Sequence, residues 1–137
     1  MIERAFLDTG VITLYYAKDV LPRIEELFNR IKSGTIEAYV ISPVIIEVYF
    51  QLCRKRGKVQ AETSINNFNK DIPYILAQLD RSAEFKAGAL KCEYRDKLSY
   101  ADCMGITVAL QFNATFHTTE KDLPPLARLQ VEKYSFS

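Results

Sequence analysis

Short β-forming runs alternate with longer stretches of helical period along this chain, and that rhythm restricts the fold more than any other feature. "RAFLDT" is short, apolar and ends on an acid, as a buried first strand does. In "LPRIEELFNRIKSG", Ile24, Leu27, Phe28 and Ile31 recur at helical spacing, with Gly34 as the C-cap. "EAYVIS" reads as a second strand. "SPVIIEVYFQLCRKRGK" then reads as a helix, with Ser42 as N-cap, Pro43 at the first helical position and Gly57 ending it after Arg56. A further helix is expected near residues 61–69, a third strand in "IPYILAQLD", and helices in "SAEFKAGALKCEYR" and "LSYADCMGITVALQFN". "ATFHTT" and "RLQVEKYS" close the series as strands. The expected order is β-α-β-α-α-β-α-α-β-β. Strands separated by helices predict an α/β fold with a mainly parallel central sheet and helices on both faces. Such sheets bind ligands outside the carboxyl ends of their strands, so function is sought there.

With 137 residues, 48% of them hydrophobic and 26% charged, the chain predicts a single domain over 1–137 with a substantial core. The formal net charge is only +1, so a nucleic-acid partner has to be met by a local patch and not by the overall field. Cys53, Cys92 and Cys103 are odd in number and far apart, which excludes a zinc knuckle or a disulfide framework. They suit a reducing compartment. "MIERAFLDTG" carries charges unlike a signal peptide, and no apolar run approaches a membrane span, so the expected location is the cytoplasm with no membrane partner.

The acids fall where that architecture matters. Asp8 ends the first strand, and Glu120 follows the fourth in "FHTTEKD". Glu47 lies early in the helix after the second strand, inside the apolar run Val44, Ile45, Ile46, Val48, Tyr49 and Phe50. Asp102 lies in the first turn of another helix, where its spacing from Ser99 also allows a capping box. Four carboxylates converging on one sheet edge raise each other's pKa, and a divalent cation relieves the conflict. Oxygen-only ligands suit Mg²⁺ or Mn²⁺, and a lone His117 with unpaired cysteines argues against zinc. Such an ion activates water against a phosphodiester.

Other chemistries also begin with an acid after a strand. The letters "FLDTG" occur in aspartic proteases, but those are all-β and need a second such loop. No glycine after Gly10 has that setting. A haloacid-type phosphatase needs a second Asp where Gly10 stands, and a phosphate-accepting receiver needs adjacent acids near its start.

Taken together, "FLDTGVI", "ISPVIIEVYF", "LSYADCMGITVAL" and "FHTTEKDL" resemble, in order and spacing, the PIN-domain ribonucleases, specifically the VapC-type toxin of a VapBC toxin–antitoxin pair. The resemblance spans essentially the whole chain. It implies a Rossmann-like three-layer α/β/α sandwich and a metal-dependent endoribonuclease. Asp8, Glu47 and Asp102 match the family's three metal-binding acids. Glu120 matches the fourth position, where Asp is usual, and Asp122 is the competing candidate. Thr9 matches the small hydroxyl residue after the first acid, and Thr118 begins the last motif. The resemblance further implies an RNA substrate, a homodimer and a cognate antitoxin. The remaining alternative is a catalytically inactive PIN-like module that binds RNA or a protein.

RNA contacts are expected from Arg54, Lys55, Arg56 and Lys58, although this cluster stands roughly 15 Å along the helix from Glu47. The same cations also suit a solvated helix end. Lys121 is nearer the acids, and Lys91, Arg95 and Lys97 offer a second rim. Tyr15, Tyr16 and Tyr49 read as core or interface residues before base-stacking ones.

Overall fold

β1 (Glu3–Leu7) is the strand on which the sheet is organised. Its first two residues are exposed and the next three, Ala5, Phe6 and Leu7, are fully buried. The computed structural model describes residues 2–135. After β1 come α1 (Thr9–Tyr15), α2 (Pro22–Lys32), β2 (Ile36–Val40), α3 (Ser42–Arg56) and α4 (Lys58–Asp71). Then follow β3 (Tyr74–Leu76), α5 (Arg81–Tyr94), a 3₁₀ turn (Arg95–Lys97), α6 (Tyr100–Gln111), β4 (Thr115–Thr118) and β5 (Val131–Lys133). The sheet has the order β3-β2-β1-β4-β5, and every neighbouring pair is parallel.

This is the three-layer α/β/α sandwich. Alternation along β1 and β4 sends Phe6 and Phe116 to one face, where their rings stack at 5.5 Å beneath α6. His117 points to the other face, where its Nδ1 and the Tyr134 hydroxyl lie 2.8 Å apart, and Arg23 of α2 covers the Tyr134 ring. From β1 the chain winds outward to β2 and β3 on one side, and later to β4 and β5 on the other. The reversal lies between β1 and β4. It opens a crevice at their carboxyl ends, the place where doubly wound sheets bind ligands.

Several expectations differ from what is observed. α1 lies in a stretch for which the sequence predicts no helix. Its β-branched Thr9, Val11, Ile12 and Thr13 have weak helix propensity, but all four are buried, and Asp8 caps the helix by accepting the Thr9 N–H. Burial overrides propensity here. Ser42 is the first residue of α3 and not its cap: Ile41 occupies that position without a side-chain bond. The helix near residues 61–69 is longer, starting at Lys58 directly after Gly57. Gly57 has φ +88°, which lets α3 stop and α4 start at one residue. β3 covers only Tyr74–Leu76 of the longer apolar run. β5 is parallel to β4 although no helix joins them; residues 119–130 make the crossover.

Gly105 of α6 packs directly on the aromatic rings of the sheet. A Cβ there would stand 2.7 Å from Phe6 Cε1 and 3.2 Å from Phe116 Cε1, and both rings are fully buried. Gly105→Ala should therefore destabilise by roughly 1–3 kcal/mol despite the better helix former. Urea denaturation of the two proteins checks this. An unchanged or higher midpoint would mean that the rings yield freely.

Candidate functional site

Asp8 stands at the end of β1, on the crevice between β1 and β4. Its backbone N–H donates to His117 O at 3.0 Å, which extends the β1–β4 pairing by one residue. The carboxylate is only 7% exposed. Its Oδ1 accepts the Thr9 N–H at 2.8 Å, and its Oδ2 accepts the Thr118 hydroxyl at 2.8 Å. Thr118 Oγ1 in turn accepts the Glu120 N–H at 3.0 Å. One buried hydroxyl at the end of β4 thus holds both the acid of β1 and the backbone that carries Glu120.

The other acids gather round this point. Asp102, 8% exposed, sits in the first turn of α6 in a capping box with Ser99. Glu47 projects from the second turn of α3, and its Oε1 accepts the Thr9 hydroxyl at 3.3 Å. Glu47 and Glu120 are both exposed. The apolar neighbours of Glu47 divide between two faces of α3: Val44 and Val48 are buried, whereas Ile46 and Phe50 face solvent with it.

The electrostatics tie the acids together. Burial pushes the Asp8 carboxyl up to about 6; the Thr118 bond opposes this, and the charges of Asp102 and Glu47 add to it. Glu120 is also raised, first by partial burial and then by Asp102, Asp122 and Glu47. None of the three ion pairs among the described residues reaches any of these acids. Among the described residues no three Asp, Glu, His or Cys side chains stand at metal-ligating spacing, so the carboxylates share one field without closing on a point. Two buried and two exposed carboxylates without a cation of the protein's own make an oxygen-only donor set, the chemistry that hard divalent ions accept.

One of the cations is arranged otherwise than the sequence suggested. Arg54, Lys55, Arg56 and Lys58 are exposed at the junction of α3 and α4, and Arg54 lies 5.7 Å over the Phe50 ring. Lys91 is not a free rim residue: its Nζ donates to the carbonyls of Arg95 and Leu98, both at 2.8 Å. Arg95, Lys97 and Lys121 are exposed. Tyr15 stacks on Phe28 at 4.1 Å, and Tyr16 meets Phe68 edge-on, so both belong to the packing between α1, α2 and α4. Tyr100, the first residue of α6 and two before Asp102, is 72% exposed, with Lys91 Nζ 4.8 Å from its ring centroid.

Sequence reasoning missed two supports. A Cβ at Gly10 would stand 1.9 Å from Thr119 Oγ1, so the loop after β4 lies directly on the start of α1. Thr13 donates to Gln51 Oε1 at 3.0 Å. Thr13 and Gln51 lie one helical turn beyond Thr9 and Glu47, and that matched spacing was the available signal.

The raised Asp8 pKa makes a stability prediction for metal-free protein. The folded state holds its proton up to about 6, against 3.8 for an ordinary aspartate. Stability from this group is therefore lost as pH rises through that window. His117 opposes it: burial lowers its pKa to about 4 from 6.5, so the unfolded chain protonates first and stability rises with pH. The difference between Asp8→Asn and wild type isolates the carboxyl. It should move in favour of Asn by about 2.4 kcal/mol between pH 4 and 7. Urea titrations in chelator at several pH values read it, and a pH-independent difference would contradict the buried-carboxyl account.

Comparison with known proteins agrees with this architecture. No curated protein matches the chain in sequence. Among solved structures, VapBC2 from Rickettsia felis bound to a promoter DNA fragment aligns with TM-score 0.74 at 18% identity, over 96% of this chain and 99% of that one. DNA-bound VapBC from Salmonella typhimurium aligns with TM-score 0.70 at 17% identity, over 97% and 98%. Mycobacterium tuberculosis VapC20, described as a Sarcin-Ricin loop cleaving toxin, gives TM-score 0.63 at 16% identity over 81% and 85%. At these identities the likeness is one of fold. The PIN domain family model matches residues 5–129, nearly the whole chain, and the chain belongs to the PIN-domain family.

Proposed function

We propose that the protein is a divalent-metal-dependent endoribonuclease and the toxin of a toxin–antitoxin pair. The observation that carries this reading is Asp8: a carboxylate buried at the switch point of the sheet, pushed up to about 6, beside Asp102 and Glu47 and without a protein cation. A buried charge of that kind is costly and persists where a ligand uses it. The fold likeness to VapBC complexes and to a toxin described as cleaving the Sarcin-Ricin loop supports RNA as substrate and an antitoxin as partner.

In this reading Asp8, Glu47 and Asp102 hold Mg²⁺ or Mn²⁺, with Glu120 or Asp122 as the fourth ligand. Held there, such an ion would supply Lewis acidity, lowering the pKa of a water and offsetting charge on the phosphodiester oxygens. The chain does the positioning. Thr118 and the Thr9 N–H fix both oxygens of Asp8, and the Thr9 hydroxyl steadies Glu47. Glu120, exposed at the rim, holds its proton to higher pH than an ordinary glutamate because of partial burial and the neighbouring acids. Lys121, Arg54, Lys55, Arg56 and Lys58 meet flanking phosphates, and Tyr100 presents a ring on which a base stacks.

Ile46 and Phe50, one turn apart and exposed on α3, offer an apolar stripe to a second copy of the chain. Among the described residues no helix is long and apolar enough to cross a membrane, and the reading has the single domain act in the cytoplasm. The second reading is a catalytically inactive PIN-like binding module. It is favoured by one observation: no three of the acids stand at ligating spacing.

Purified protein with Mg²⁺ or Mn²⁺ should cleave RNA, and a chelator should stop it. Removing a ligand should cost more than the 10–100-fold that an outer partner costs, so Asp8→Asn should lose more than about 100-fold in rate. Equal cleavage by wild type, variant and chelated sample would mean a contaminant, and the enzyme reading would fall. Between Glu120→Gln and Asp122→Asn, the larger loss of metal-dependent rate identifies the fourth ligand. Induction of the wild type but not Asp8→Asn should arrest growth.

A further inference from the structure

The acids differ in how their oxygens are occupied. Asp8 has a donor on each oxygen. Asp102 has one: the Ser99 N–H donates to its Oδ2 at 3.1 Å. The reciprocal bond runs from the Asp102 N–H to Ser99 Oγ at 3.0 Å, and the Cys103 N–H donates to Ser99 O at 3.0 Å. Among the described residues no donor reaches Asp102 Oδ1. The carboxylate is 8% exposed, and its charge is felt both by Asp8 at the end of β1 and by Glu120 beyond β4. It therefore shares one field with both strand-end acids, with one oxygen tied back to the helix start and one left over.

We infer that Ser99 is a positioning residue of the metal centre, holding Asp102 by the capping box so that Oδ1 alone is presented to the ion. The inference rests on the metal-centre reading above. Capping and ligation thus follow from one geometry. A capping box uses the carboxylate's near oxygen on the N-cap amide, which fixes the rotamer and aims the far oxygen away from the helix. A single oxygen from Asp102 also suits the octahedral, water-rich coordination of Mg²⁺ or Mn²⁺, since a bidentate grip would require the Ser99 N–H bond to open.

Without the Ser99 hydroxyl, the Asp102 N–H loses its acceptor at a helix end that already has surplus donors. The nearest replacement acceptor is the Asp102 carboxylate itself, and turning it inward withdraws Oδ1 from the crevice. Ser99 touches neither substrate nor ion and acts through Asp102.

The test is direct Mn²⁺ binding, followed by the electron paramagnetic resonance of the free ion, with melting temperature recorded on the same samples. The proteins are wild type, Ser99→Ala, Ser99→Gly, Ser99→Thr and Asp102→Asn. Outer partners of ligands cost 10–100-fold in affinity, so Ser99→Ala should weaken Mn²⁺ binding by about that factor. Ser99→Thr restores a hydroxyl and should return affinity close to wild type. Ser99→Gly caps a helix nearly as well as serine without a hydroxyl, so it should keep its melting temperature and still lose affinity. If Ser99→Ala and Ser99→Gly bind Mn²⁺ as wild type does, the inference is overturned while the metal centre stands. If affinity follows melting temperature and Ser99→Thr does not restore it, Ser99 is only a helix cap and the inference fails. If wild type binds no Mn²⁺, the metal centre itself is refuted and the inference with it.

Discussion

The bond from the Thr118 hydroxyl to Asp8 Oδ2 is the contact on which the geometry of the crevice depends. It joins the end of β4 to the end of β1 at 2.8 Å, across the place where the winding of the sheet reverses. The other oxygen of Asp8 caps α1. A single side chain therefore ends a strand, starts a helix and bridges to the next strand. Thr118 is fully buried and has its own second partner in the Glu120 N–H, so the loop after β4 starts from a fixed point. Replacing either partner leaves a buried polar group unsatisfied, which costs about 1–3 kcal/mol, more where the group is charged.

The reversal of winding explains why residues 110 positions apart meet there. β1 is central, so its carboxyl end is flanked by helix starts: α1 from β1 itself, α3 from β2 and α6 beside β4. Glu47 reaches the site because it lies in the second turn of α3, and Asp102 because it lies in the first turn of α6. Gly10 completes the arrangement by omission, since any side chain there would occupy the space of Thr119. The sheet and the site are consequently the same construction seen at different scales.

Much of this was legible in the sequence because it depends on period and punctuation. The α2 face of Ile24, Leu27, Phe28 and Ile31, the capping box of α6 and the acid ending β1 were all visible as local patterns. The parts that were not legible are those that tertiary contact decides. α1 reads as a poor helix because Thr9, Val11, Ile12 and Thr13 resist helical rotamers, and only their burial makes it form. Glu47 looks like an acid trapped in an apolar run, but helical geometry puts it on the open side with Ile46 and Phe50. Lys91 looks like a loose cation, but Arg95 at φ 45° and the 3₁₀ turn expose carbonyls that it binds. Tyr15 and Tyr16 were readable as packing residues, whereas the open Tyr100 carries no sequence signal beyond its position next to the capping box.

The helix starts raise the question of whether the fold neutralises its own acids. Three N-termini face this edge, and each macrodipole favours a nearby anion by 0.3–1 kcal/mol, up to about 2 kcal/mol when partly buried. Asp8 also receives two hydrogen bonds, which favour its charged form. The two bonds do not win. The Asp8 pKa still rises to about 6, which is roughly 3 kcal/mol against ionisation with both bonds in place and more than any one helix start offsets. Burial, with Asp102 and Glu47 adding to it, outweighs the bonds. The residual penalty is of a size that another hydroxyl or another helix end does not remove, whereas one divalent cation held between carboxylates does. An edge that spends stability in this way, with its two deepest acids less than a tenth exposed, is poorly suited to a passive scaffold and well suited to gripping an ion.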